Sequence, residues 1–412
     1  MKNFKKMLSA MLVMALTLSL CACGGSPAGD APSAAPDTAN ETLITLEGSS
    51  ATVKGGGASA SGSTVNIKAA GTYRISGSLD DGCVIVDTGE VATEVTLILD
   101  GADIACTTGP AIHVKQAKDL RVVLADGSVN TLTSGTEGSP VSEDASGAAL
   151  YSEDDMDIEG NGALSVLGYI NNGIGSKKDL DINGGNISVS AMNNGIRGAN
   201  SVEIKGGTVS VTAANDGVKA TATDKPGKGY VTVSGGALSV YAKGDGVSAA
   251  TELNITSGTL AVEAVGDGQL KSSKALKAVT DLNISGGSVS LFSLSSTAAA
   301  CDGNITVSGG EVTICAAKRG FNATGSYTLT GGEVLAIIGS GKNAEPVPGG
   351  QSYICAALSG KAGDSVTVSG AAQLASLEAR TDYSQVFFSA PDLTAGTEYT
   401  AANQNRSVSA VA

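Results

Sequence analysis

Tryptophan is missing from the 412 residues, histidine occurs once, at position 113, and aromatic residues make up 3%. A single histidine excludes a multi-histidine metal site, and any Ser-His-Asp arrangement would have to use His113. Without tryptophan the usual flat platform for neutral sugars is gone. Tyr73, Tyr151, Tyr169, Tyr230 and Tyr241 remain as partial substitutes, although tyrosine is more often a half-buried packing group. No phosphate-binding glycine loop is found, because the glycine pairs sit between strand-like runs and not between a strand and a helix. Beyond the first 20 residues no long stretch carries a helical apolar period.

The N-terminus reads as export machinery. Lys2, Lys5 and Lys6 precede an apolar run from Met7 to Leu20, too short to span a bilayer comfortably. Leu20-Cys21-Ala22-Cys23 looks like a bacterial lipobox, with Cys23 as the acylated residue because the small Ala22 precedes it. Residues 1–22 are therefore expected to be a lipoprotein signal peptide. Residues 23–42, rich in Gly, Ser, Ala, Pro and Asp, are expected to be a disordered tether, and two acyl chains on one cysteine suffice for stable anchoring. The leader carries three lysines and no acids, so its removal takes the formal charge from −14 to −17. That charge argues against nucleic acid and anionic lipid headgroups as partners and favours divalent cations. Of seven cysteines, Cys21 and Cys23 belong to the leader. Cys83, Cys106, Cys301, Cys315 and Cys355 are widely spaced, form no CxxC, and read as small apolar fillers, with a disulfide among them left open.

A period of 22 residues dominates the rest. Gly-Gly or Ser-Gly pairs stand at 184–185, 206–207, 235–236, 257–258, 286–287, 309–310 and 331–332. The two longer steps are 22 plus seven, with the extra residues placed near Thr221–Gly229 and Lys271–Val279. Leu180-Asp181-Ile182 precedes one pair and Ile187-Ser188-Val189 follows it; Val202-Glu203-Ile204 and Val209-Ser210-Val211 repeat the pattern. Short β-branched alternating runs with glycine corners predict the coils of a right-handed parallel β-helix, an all-β solenoid whose strands stack about 4.8 Å apart. About ten to twelve coils from Val65 to Gly339 give a rod of about 50–60 Å. The β-helix is assigned to residues 43–340, with Leu43–Ile75 as its N-terminal cap, and residues 341–412 to a small C-terminal β cap over the open edge.

A second motif keeps the same step: Asn171-Asn172-Gly173, Asn193-Asn194-Gly195, Asn215-Asp216-Gly217, Gly244-Asp245-Gly246 and Gly266-Asp267-Gly268. Residues in phase stack, so Asp216, Asp245 and Asp267 are expected to form a carboxylate ladder with Asn194 and Asn172 beneath. Asn-Gly and Asp-Gly also serve as plain turns, and amide ladders hydrogen-bond without further chemistry. Stacked carboxylates repel, however, and need protonation, lysines such as Lys219 and Lys271, or a metal. Calcium (Ca2+) suits an oxygen donor set of Asp216, Asp245, Asp267 and Asn194. Glu153, Asp154, Asp155 and Asp157 form a second acidic cluster, expected to be a solvated face.

The run AGTYRISGSL at 70–79, VTLILDGADI at 95–104, Ala111-Ile112-His113-Val114, ALYSEDDMDI at 149–158, residues 171–198 and the Asp-Gly ladder, in that order, resemble a bacterial carbohydrate-binding family of extracellular lipoproteins and cell-surface proteins. The resemblance implies a parallel β-helix of pectate-lyase-like shape, bound calcium, and affinity for cellulosic or polygalacturonate polysaccharides. Gln269 departs from the family's corner motif, and later coils lose the carboxylate, which ends any ion site near Asp267. The leading expectation is a calcium-dependent polysaccharide binder anchored to the cell membrane, extracellular, with no obligate protein partner. No catalytic or sugar-contacting residue is assigned. A polysaccharide lyase using Lys219 or Lys271 as base, or a passive adhesive rod, are the alternatives.

Overall fold

The computed structural model describes residues 40–89, 93–142, 145–267 and 272–412. The leader, Cys23, the tether up to Ala39, Gln269 and Lys271 lie outside the described residues.

The alternating runs become strands that pair in parallel, coil upon coil, in the register that the period demands. Asp179–Ile182, Asn186–Ala191 and Ile196–Gly198 form one coil, and Ser201–Ile204, Thr208–Ala213 and Val218–Ala220 the next. Ile182 lies over Ile204, which continues through Val233, Ile255 and Ile284. Val189, Val211, Val240 and Val262 stack likewise, as do Ile174, Ile196, Val218 and Val247. These columns are fully buried and form one continuous core. No coil covers its own apolar side, so each strand's inner residues are shielded by neighbours above and below.

The coils up to Phe321–Ala323 contribute strands to three faces. Two faces merge into one 22-stranded sheet, because Glu94–Cys106, Asn304–Ala316 and Tyr327–Ile338 run from one face to the next without a break. The third face is a separate 12-stranded sheet of short strands. The corner between the first two faces carries the glycine pairs. At Gly206–Gly207 the second residue has φ +78°, and a Cβ on the first would lie 2.4 Å from the carbonyl oxygen of Asn183 in the coil before.

Both ends are closed by antiparallel pairing. Glu41–Gly48 pairs antiparallel with Ala51–Lys54 and parallel with Gly71–Leu79, so the stack starts inside the N-terminal cap. The first strand also starts inside the residues assigned to the tether (23–42): Thr42 is buried, and Arg74 holds Glu41 at 2.7 Å. At the other end Gln385–Ser389 pairs antiparallel with Tyr327–Ile338, and a four-stranded antiparallel sheet builds a second small core. Cys106, Cys301 and Cys315 are buried as the filler reading expects, whereas Cys355 is exposed; all five described cysteines are free thiols.

Candidate functional site

The repeated Asn/Asp-Gly corner joins the second face to the third. Its glycines have ordinary φ. They are needed for closeness: a Cβ on Gly195 would lie 2.1 Å from Val211 Cγ1, and one on Gly217 2.2 Å from Val240 Cγ1. The corner lets the valine of the following coil reach the axis. Above it the side chains form the expected ladder. Asn194 Nδ2 donates to Asn172 Oδ1 at 2.9 Å, and Asn193 Nδ2 to Asn171 Oδ1 at 2.9 Å. Asp216 Oδ1 accepts the N–H of Asp245 at 2.8 Å, and Asp245 Oδ1 accepts the N–H of Lys274 at 2.9 Å.

The next rung is therefore Lys274, not Asp267. The inserted residues precede the corner, between the strands Thr259–Ala264 and Leu276–Ala278, whereas the spacing placed them near Lys271–Val279, a range that includes that second strand. Leu276 then takes its place over Val247. Asp267 falls at the start of the insertion and is exposed. The other insertion lies where its spacing put it, at 221–229 between the strands Val218–Ala220 and Tyr230–Val233.

The two carboxylates that do stack are answered by ammonium groups. Lys219 Nζ lies 2.7 Å from Asp216 Oδ2, and Lys277 Nζ lies 3.5 Å from Asp245 Oδ2. Asn194 Oδ1 accepts from Asn215 Nδ2 at 3.2 Å. Calcium asks for six to eight oxygens and no adjacent cations. Among the described residues no three His, Cys, Asp or Glu side chains come together to hold a metal ion. The donor set of Asp216, Asp245 and Asn194, with Asp267 removed from it, does not fit the calcium that the family resemblance implies.

The lysines belong to a larger arrangement. The outward column of the third face runs His113, Tyr151, Gly175, Arg197, Lys219, Ser248, Lys277, Ala300 and Asn322. Arg197, Lys219 and Lys277 are all half-buried although they point outward. Among the described residues, 145–149 and 272–275 lead into its strands, and residues 221–229 lead out of them. Thr221, from the exit insertion, accepts a hydrogen bond from Arg197 Nη2 at 3.1 Å. A cleft of about 400 Å³ opens here, lined by Asn215, Asp216, Lys219, Asp245, Lys274 and Lys277 among others. Burial draws the Arg197 guanidinium below its ordinary pKa, with the nearby Tyr151 opposing. No carboxylate pairs with Arg197 among the described residues. Arg197 does not line that cleft; it lies one rung from Lys219 in the same outward column, and a desolvated guanidinium without a carboxylate suits an anionic or polyhydroxyl ligand.

Sequence reasoning missed Arg197, Lys274 and Lys277. The signal was available: the residue two after the corner glycine is Arg197, Lys219, Ser248 and, past the insertion, Lys277, in the same phase as the strands. The tyrosines make no strip. Tyr73 is in the core, Tyr151 is nearly buried on the third face, Tyr230 lies on the first face hydrogen-bonded to Glu203, and Tyr241 lies on the second. The acidic cluster is only partly a solvated face. Asp154 is buried, accepts the N–H of Ala117 at 3.0 Å and pairs with Lys178, while Glu153 pairs with Lys177 at 2.7 Å.

The chain belongs to the family described as carbohydrate-binding domain-containing proteins, whose profile matches residues 61–344. It is 36% identical over 182 residues to a carbohydrate-binding domain-containing protein of Acetivibrio thermocellus, a match that covers 44% of this chain and 63% of that relative. Among solved structures it is similar to a polysaccharide lyase-like protein from C. thermocellum, determined as a gadolinium derivative, at 29% identity and TM-score 0.49, over 70% of this chain and 97% of that one.

Proposed function

We propose that this chain is an exported surface lipoprotein, anchored through Cys23, whose right-handed parallel β-helix binds an acidic polysaccharide along the cationic trough of its third face. Family membership supports the carbohydrate, the parallel register of successive coils supports the β-helix, and the lipobox supports the anchor. The observation that carries the charge of the ligand is Arg197: half-buried, without a carboxylate, in one column with Lys219 and Lys277. Guanidinium and ammonium groups bind uronate carboxylates directly, the former in bidentate fashion, and need no bridging metal. The scattered tyrosines disfavour a neutral, stacked glucan. A protein of formal charge −17 attracts a polyanion only where its cations are gathered, and the trough gathers them.

The test is calorimetric titration with oligogalacturonate in chelator and in calcium, at low and high salt, while the absorbance of unsaturated product is followed. Expected are equal heats with and without calcium, binding weakened by salt, a flat absorbance, and loss of affinity in Arg197→Ala. Binding that requires calcium would overturn the metal-free contact. A steady absorbance rise would make the chain a lyase. Equal affinity for an uncharged glucan would remove the role of the cations.

A further inference from the structure

Two cysteines meet at the corner between the second and third faces, near the N-terminal end of the stack. Cys83 opens the strand Cys83–Asp87, and Cys106 closes the strand Glu94–Cys106 in the coil that follows. Cys83 precedes Val84, which lies in register with Ile112, Leu150 and Ile174. It therefore takes the place that Ala111, Ala149 and Gly173 hold in later coils. Cys106 lies in register with Ser134, and its column goes on through Gly168 and Ala191. Later coils fill both positions with small residues, whereas here both carry sulfur. Cys106 is 7% exposed and Cys83 is half-buried. Neither lines the cleft of the third face.

The two thiols hydrogen-bond each other. The backbone beside them is strapped together: Gly82 N–H donates to Ala105 O at 2.8 Å, and the N–H and hydroxyl of Thr107 donate to Asp81 Oδ1 at 2.9 and 3.0 Å. A disulfide asks for Cα atoms about 4.4–6.8 Å apart, and neighbouring coils stack about 4.8 Å apart, so a bond between the sulfurs suits the spacing. The Cys83 hydrogen bond, the N–H groups of Thr108 and Gly109 and the Thr108 hydroxyl draw the Cys106 thiol down to about 6, against its burial. The same thiol–thiol bond and burial push Cys83 up. One sulfur is thus favoured as the nucleophilic thiolate, with a protonated thiol already beside it.

We propose that Cys83 and Cys106 form a redox-active pair that hydrogen peroxide closes into a disulfide, fastening two consecutive coils together. The Cys106 thiolate attacks the peroxide, the O–O bond breaks, hydroxide leaves and a sulfenic acid forms. The Cys83 sulfur then displaces the sulfenic hydroxyl, which departs as water with the Cys83 proton. Both sulfurs are oxidised and the peroxide is reduced. In a solenoid each coil holds only to its neighbours. A covalent link close to one end therefore removes chain freedom where the stack would otherwise fray.

Treating the intact protein with hydrogen peroxide, alkylating the remaining thiols and digesting with trypsin tests it. Cleavage after Arg74 and Lys115 releases one peptide that holds both cysteines and no other. This peptide is expected to become lighter by two hydrogens and to take no alkyl group, and dithiothreitol is expected to restore two alkylatable thiols. The oxidised wild type is expected to melt several degrees above the reduced protein. Cys83→Ala and Cys106→Ala, each placing the residue that later coils carry in that column, are expected to lose the difference. Two alkylated thiols in this peptide after peroxide has oxidised the exposed Cys355, or a sulfinic acid in place of the disulfide, would overturn the proposal. Equal melting temperatures of oxidised and reduced wild type would overturn the fastening of the coils.

Discussion

The first and third faces are built by the same rule and end with opposite charge. On the first face the outward column runs Arg121, Asp157, Asp181 and Glu203, in register from coil to coil. Burial holds the carboxyls of Asp157 and Asp181 above their ordinary range. Lys205 answers the column at 2.6 Å from Asp181 and 3.1 Å from Glu203; burial works against its charge, and the two carboxylates still hold its pKa well above the usual. On the third face the column is Arg197, Lys219, Ser248 and Lys277, and the carboxylates are the minority, tucked into the corner. One face piles up acid and tolerates the strain. The other piles up cation beside a cleft. A uniform rod would need neither, and under the proposed function the sorting would separate a face that repels an acidic polymer from one that receives it.

The corners differ as well. Gly217, entering the third face, has no room for a Cβ, whereas Gly127, on the way from the first face to the second, has φ +73° and open space around it. Gly217→Ala is expected to lose about 3 kcal/mol of stability through overpacking, and Gly127→Ala about 1 kcal/mol through backbone conformation alone. Chemical denaturation of the two variants reads the difference, and equal losses would refute the steric account.

The faces themselves are compared by removing one arginine from each. Arg197→Ala is expected to weaken acidic-glycan binding by about 2 kcal/mol, the scale of a charged hydrogen-bonded contact, while Arg121→Ala leaves it unchanged. Equal effects in titration would erase the distinction between receiving and repelling faces.

Lysines sharpen it further. Lys219→Ala leaves Asp216, 6% exposed, without its ammonium partner and is expected to cost about 1–2 kcal/mol. Lys177→Ala breaks a pair with a largely exposed ammonium and is expected to cost about 0.5 kcal/mol or less. Thermal melts of both variants check this.

The smallest effect is in pH. A carboxyl held above its unfolded pKa contributes stability that is full below the unfolded value and is lost as pH rises through the raised one. The first face is therefore expected to weaken from about pH 4 upward. Asp181→Asn removes one titrating member, so its melting temperature is expected to gain on the wild type as pH rises and to lose that gain toward pH 4. A gap independent of pH would show that the acidic stack is fully relieved by Lys205.

Much of this was legible in the sequence. Val, Ile and Leu at every second position, with glycine pairs 22 residues apart, fix both the inward columns and their register, because a slipped coil would expose its core. The amide ladder of Asn172 and Asn194 was readable for the same reason. The phase of the second insertion was not. Gly266-Asp267-Gly268 matches the corner in composition, and only the strand at Leu276, buried over Val247, shows that the corner comes later. Lys219 stood out because Asp216 is three residues away, but Lys277 and Arg197 have no ladder carboxylate beside them in sequence, and the direction of their side chains is known only once the strand is placed. Asp154 escaped because four acids in a row read as solvent-facing, whereas one of them turns inward to cap Ala117 N–H.

At the corner, a side-chain oxygen of Asn172, Asp216 and Asp245 receives an N–H from the following coil. The bonds all point one way along the axis. The rod is therefore polar lengthwise as well as electrically uneven around its girth. A polymer laid in the trough, as proposed, would meet a different sequence of groups when reversed, so the proposed binding would distinguish the two directions of the glycan.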